Sequence, residues 1–142
     1  MVLPALLVLS TLAAADGGAT VLQQPSDLRW TPLALVAGAR QAVVWGDPAT
    51  GAYGALRRLP AGAALPWHTH THDSRAVIVS GTLVVEAEDA AARDMGSGAH
   101  VFVPAGRRHR ATCAAATDCV YLEQQPGPAD FKRVEPPPRD PR

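Results

Sequence analysis

Three of the five histidines in this 142-residue chain fall within five positions, in the run Pro66-Trp67-His68-Thr69-His70-Thr71-His72-Asp73. A fourth, His109, follows the turn-forming stretch Pro104-Ala105-Gly106. In an extended strand residues i and i+2 face the same way, so His68 and His70 project to one face. Two imidazoles at that spacing can hold one divalent ion when a neighbouring strand brings a third donor, and His109 is the candidate. Neutral imidazole ligates zinc, iron, copper and nickel well, which is the chemical reason for histidine here. One histidine alone would read as a solvated polar side chain; an H-x-H pair with a distant third reads as a metal site. The fourth ligand stays open. His72 continues the alternation and would point inward if the strand runs on, while Asp73 would supply a carboxylate if the strand bulges.

Short β-like runs separated by Gly, Pro and Asp must position these residues. They are Gln41–Trp45, Tyr53–Leu59, Ala76–Val79, Leu83–Ala87, Val101–Val103, His109–Cys113 and Val120–Glu123. Strands of this length and spacing predict an all-β sandwich or barrel. Ser80-Gly81, between two β-branched runs, reads as a tight hairpin turn. No segment after the N-terminal apolar run keeps a 3.6-residue apolar period, so little helix is expected. The stretch from Pro126 to Arg142 holds six prolines and seven charges. It has little to bury, and is expected to be an extended tail, disordered or draped on the domain.

The length suits one domain. Thirteen basic residues balance thirteen acidic ones, so no electrostatic attraction draws the chain to nucleic acid or anionic membranes. Residues Val2 to Ala15 carry no charge and end in Ala13-Ala14-Ala15. That run is too short to span a bilayer and has the form of a secretory signal, although no Lys or Arg precedes it. The expected organisation is a signal peptide over 1–15, an N-terminal arm over 16–40, a β-domain over 41–125 and the tail over 126–142. Export to the periplasm or medium follows, with no stable membrane insertion. In an oxidising compartment Cys113 and Cys119 can pair across a short turn joining HRATC to CVYLEQ; in a reducing one they would be buried thiols.

The spacing of these motifs resembles the cupin superfamily. Gly62, His68, His70, Ser74 and Gly81 stand at the intervals of the first cupin motif, and Gly98, Pro104, Gly106 and His109 at those of the second. Val44-Trp45-Gly46-Asp47-Pro48 and Leu65-Pro66-Trp67-His68 resemble small bacterial cupins and the zinc-binding cupin domains of anti-sigma factors. The resemblance implies a single jelly-roll β-barrel with a metal in its interior. It departs from the pattern in two places: Ser74 stands where cupins usually place a glutamate ligand, and Cys113 where they place an asparagine. Without that glutamate the set is three neutral histidines, similar to thiol dioxygenase-type cupins, with positions left open for water or substrate.

The resulting expectation is an exported protein with a mononuclear metal site on His68, His70 and His109, completed by His72 or Asp73. The ion would be iron, zinc, manganese or nickel. The partner would be a small-molecule ligand or substrate, with dioxygenase or isomerase chemistry, or binding and sensing without chemistry; a homodimer fits the family. His100, Arg75 and the Arg107-Arg108 pair are weaker candidates, with surface positions as their default. Of Trp30, Trp45 and Trp67, Trp67 is the one expected to line the pocket.

Overall fold

The computed structural model describes residues 18–138, so the apolar run over 1–15 lies outside the described residues. Among the described residues every regular element but one is a strand. A single 3-10 turn, Pro25–Asp27, precedes β1 (Thr31–Pro32), β2 (Arg40–Gly46), β3 (Tyr53–Leu59), β4 (Ala64–Thr69) and β5 (Ser74–Ser80). There follow β6 (Leu83–Ala87), β7 (Ala90–Met95), β8 (His100–Val103), β9 (His109–Cys113), β10 (Cys119–Gln125) and β11 (Lys132–Arg133). All pairings are antiparallel, in a sheet ordered β1-β2-β3-β10-β5-β8 and a second ordered β11-β4-β9-β6-β7. The two sheets remain separate ladders, so this is a two-sheet jelly roll and not a fully closed barrel.

Period-two burial explains the strands. In β10, Cys119, Tyr121, Glu123 and Gln125 are buried while the residues between them are not. In β3 the inward set is Tyr53, Ala55, Arg57 and Leu59. Leu59, Ile78 and Tyr121 of the first sheet pack with Leu65, Leu83 and Ala111 of the second into one apolar core. Leu33, Leu35 and Val36, within the stretch expected to be an arm, pack against that core.

Two expected hairpins are sheet-crossing corners instead. β5 and β6 flank Ser80-Gly81 but belong to different sheets. Gly81 has φ +76°, and a Cβ there would come within 2.5 Å of the Asp118 carbonyl oxygen, so the corner needs glycine in both respects. Likewise β9 and β10 do not pair, and the Cys113–Cys119 disulfide ties one sheet to the other at their corner, across a Cα–Cα distance of 5.7 Å. The hairpin absent from the sequence-based expectation is β6–β7, turned at Glu88-Asp89. Its second strand, AAARDM, has helix-favouring alanines, and pairing with β6 overrides that propensity.

The C-terminal stretch is draped on the domain. β11 adds to the edge of β4, placing Arg133 opposite His68, and the Val134 amide donates to the Trp67 carbonyl at 3.0 Å.

Candidate metal centre

A bulge in β4 sets the histidines. Leu65 pairs with Ala111 and His68 with His109, so Pro66 and Trp67 together face the single residue Arg110. Proline donates no ladder hydrogen bond and is tolerated at such a bulge. The extra residue shifts the alternation, so Leu65 and His68, three apart, both line the interior, and His70 follows two residues on. His109 opens β9 directly opposite His68. The ring centroids of His68 and His109 are 4.1 Å apart, those of His68 and His70 5.0 Å, and those of His70 and His109 5.1 Å. One ligand atom from each lies within 4.8 Å of the others, and all three residues are buried.

Each ring is oriented by a backbone carbonyl at Nδ1: Pro66 for His68 at 2.7 Å, Asp130 for His70 at 2.6 Å and Arg107 for His109 at 3.0 Å. A carbonyl only accepts, so each Nδ1 carries the proton and each Nε2 keeps its lone pair. None of the three Nε2 atoms has a hydrogen-bond partner among the described residues. A donor set with fixed tautomers and free lone pairs fits a divalent ion. Phe131 stacks on the His68 ring at 4.0 Å, so the C-terminal stretch supplies both a ring contact and, through Asp130, a ligand-orienting carbonyl.

Burial favours neutral imidazoles. It pushes the His68 pKa down from 6.5 to about 3, with the neighbouring His109 and His70 adding to the fall and the Pro66 hydrogen bond opposing it. His109 is lowered by burial as well, against the hydrogen bond to Arg107. In metal-free protein, unfolding therefore takes up protons below about pH 6.5 that folded His68 refuses until about pH 3. Stability of the metal-stripped protein is expected to fall as pH drops through that window. Each such group contributes up to about 1.4 kcal/mol per pH unit, measurable by urea titration at several pH values; a flat profile from pH 6.5 to 4 would contradict neutral buried imidazoles.

The structure does not bring His72 or Asp73 to this group. β4 ends at Thr69 and the chain bends over Thr71 and His72, so the alternation that would have turned His72 inward is lost. Its ring lies where a Cβ on Gly127 would be, 2.3 Å from His72 Nε2. The Asp73 carboxylate instead accepts the Ala105 amide at 2.9 Å, bracing the turn before His109. Ser74 is buried in the cavity wall and offers a hydroxyl where the resemblance places a carboxylate. Trp67 faces away from the cavity, with the Arg110 guanidinium 5.3 Å from its ring. His100 is exposed, Arg75 lies over Phe102, and Arg107 and Arg108 pair with Glu88 and Asp89.

The histidines open onto a cavity of about 390 Å³ between the sheets, its lining mostly apolar. Sequence reasoning missed a second polar group in its wall. Arg57 and Glu123 pair at 3.2 Å; the Tyr53 hydroxyl donates to Glu123 Oε1, and Gln125 Nε2 donates to the same oxygen at 3.3 Å. Arg57 also donates to Gln41 and, at 3.3 Å, to the Tyr53 oxygen. Burial pushes the Glu123 carboxyl up, but the Arg57 guanidinium and the Tyr53 hydroxyl outweigh it and hold the pKa below its ordinary value. The signal was present: Arg57 and Glu123 are charges at inward positions of β3 and β10, with Arg57 paired to Tyr121 and Glu123 to Ala55.

The ChrR cupin-like domain family model matches residues 18–127, most of the chain. The chain belongs to that family. This cupin shares its fold with the polyketide cyclase RemF from Streptomyces resistomycificus at TM-score 0.70 and 14% identity, over 84% of this chain and 88% of that one. The anti-sigma factor ChrR, in complex with SigE of Rhodobacter sphaeroides, matches at TM-score 0.57 and 24% identity, over 72% of this chain and 52% of that one. The DMSP lyase DddQ from Ruegeria pomeroyi matches at TM-score 0.63 and 19% identity, over 84% and 73%. At these identities the likeness establishes the fold alone. No curated protein matches the chain.

Proposed function

We propose that this cupin is an exported protein that holds one divalent ion on His68, His70 and His109 and binds or transforms a small molecule in the adjoining cavity. The observation that carries the reading is the uniform orientation of the three rings, with every Nδ1 tied to a carbonyl and every Nε2 left free. Iron, zinc, manganese and nickel all suit such a set. A bound ion would supply Lewis acidity to a coordinated oxygen. The chain's own residues orient the ligands, keep His68 and His109 neutral by burial and surround the site with apolar walls. The apolar N-terminal run and the Cys113–Cys119 bridge support export. Among the described residues no helix is long and apolar enough to cross a membrane.

Binding without chemistry is the second reading. Ser74 in place of a carboxylate supports it, as does the fold shared with the anti-sigma factor ChrR. Elemental analysis and intact mass of native, untagged protein from its source test the proposal. One ion per chain and a mature chain beginning near Asp16 are expected. Metal content below about a tenth of an ion per chain after growth in metal-replete medium would remove the metal reading, and an unprocessed N-terminus the export reading. Turnover of a substrate by the loaded protein, or its absence despite tight ligand binding, separates enzyme from sensor.

A further inference from the structure

The Arg57–Glu123 pair is a puzzle for a cavity wall, because its donors are distributed unevenly. Tyr53, Arg57 and Gln125 all donate to Glu123 Oε1, and no donor among the described residues reaches Oε2. Among the described residues the buried polar atoms left without a partner are Arg57 Nε and Gln125 Oε1, and Oε2 is not one of them. The Glu123 side chain keeps 12% of its surface accessible, and it lines the cavity. Oε2 therefore presents free lone pairs to the cavity. Glu123 is also outside the group of ligand atoms that converge within 4.8 Å, so on the wall of the same cavity it is an acceptor separate from the three histidines.

Resting on the metal reading above, we infer that the cavity takes a small hydroxylated carboxylate, its carboxylate toward the histidine triad and its hydroxyl donating to Glu123 Oε2. The charges select the two ends. Three imidazoles bring no negative charge to a divalent ion, and the two carboxylates of the cavity wall are already engaged, Glu123 by Arg57 and Asp130 by Thr71 and Lys132, so the metal side attracts an anionic oxygen. At Glu123 an ionised carboxylate can only accept, so the ligand must bring a donor. A hydroxyl suits that place. An ammonium would bring a second positive charge beside Arg57, and a second carboxylate would meet Glu123 directly. Leu65, Leu83, Val85 and Val101 line the same cavity and give a short hydrocarbon segment an apolar wall to pack on.

The test uses the full chain loaded with zinc and two matched series, ω-hydroxy acids of three to six carbons and the unsubstituted acids of the same length. Affinities are read by isothermal titration. At the chain length that spans the cavity, the hydroxy acid is expected to bind at least about tenfold more tightly than its parent, the usual scale for a hydrogen bond to a charged acceptor. Glu123→Gln is expected to shrink that preference to about threefold or less, with zinc stoichiometry unchanged. If Glu123→Gln fails to fold, the double variant Arg57→Met/Glu123→Gln removes both charges and serves the same comparison. Stoichiometric zinc with no hydroxyl preference at any length would overturn this inference and leave the metal site standing. Failure to bind zinc, iron, manganese or nickel at all would overturn both.

Discussion

Replacing His68 and His109 together by alanine is expected to abolish metal binding, lowering affinity by more than about 100-fold, because loss of even an outer partner of a metal ligand costs about 10–100-fold. The two residues face each other across the β4–β9 ladder and contribute two of the three converging lone pairs. His70 alone, tied to the Asp130 carbonyl, would remain as a single buried imidazole. The double variant is expected to fold, since neither residue belongs to the apolar core built on Leu59, Leu65, Ile78 and Leu83. His72→Ala is the matched comparison, and should keep a full complement of metal, because the bend after β4 carries His72 to Gly127. Metal content by mass spectrometry of dialysed protein decides both. A metal-replete double variant would place the site elsewhere, and metal loss in His72→Ala would mean that the bend straightens on loading.

Arg57→Met should be the most damaging single substitution for stability outside the apolar core, at about 3–5 kcal/mol. The guanidinium is buried with Glu123, and its removal leaves an ionised carboxylate inside the domain with only the Tyr53 hydroxyl and the Gln125 amide as donors. Glu123 is held below its ordinary pKa in large part by Arg57, so without it burial raises the folded pKa. The sign of the pH effect then reverses. A folded pKa raised above the unfolded value means that the variant regains stability as pH falls and Glu123 protonates, whereas the parent gains nothing from that group on acidification. Urea denaturation at neutral and mildly acid pH measures both effects. A loss below about 1 kcal/mol would show that cavity water screens the pair as it does a surface ion pair.

The positions of the strands were readable from local composition. Tyr53–Leu59, Leu83–Ala87 and His109–Cys113 fall where short β-like runs between Gly, Pro and Asp breaks predicted them. Which strands pair was not. Gly81 marks a turn of the chain, but a glycine at positive φ serves a hairpin and a sheet-crossing corner equally, and only long-range pairing separates them. β7 was missed for a related reason: alanine-rich strands at an edge carry no alternation, and their state is decided by the partner strand.

The three histidines show the same division. The sequence by itself determined that His68, His70 and His109 belong together, because their spacing within two ordered motifs is a property of the chain. It also determined that a carboxylate is missing at Ser74. The fourth position could not be read, because whether His72 faces inward depends on where β4 stops, and the strand stops at Thr69. Tertiary structure alone decided that the bulge at Pro66-Trp67 turns Trp67 outward and His68 inward. It also brought the Asp130 carbonyl and the Phe131 ring to the site from sixty residues away. And it set Glu123 in the wall of the same cavity, where its charge is kept by Arg57 from a neighbouring strand. The grouping of the histidines is written in local spacing; the buried charges of the cavity wall meet only when separate strands are packed together.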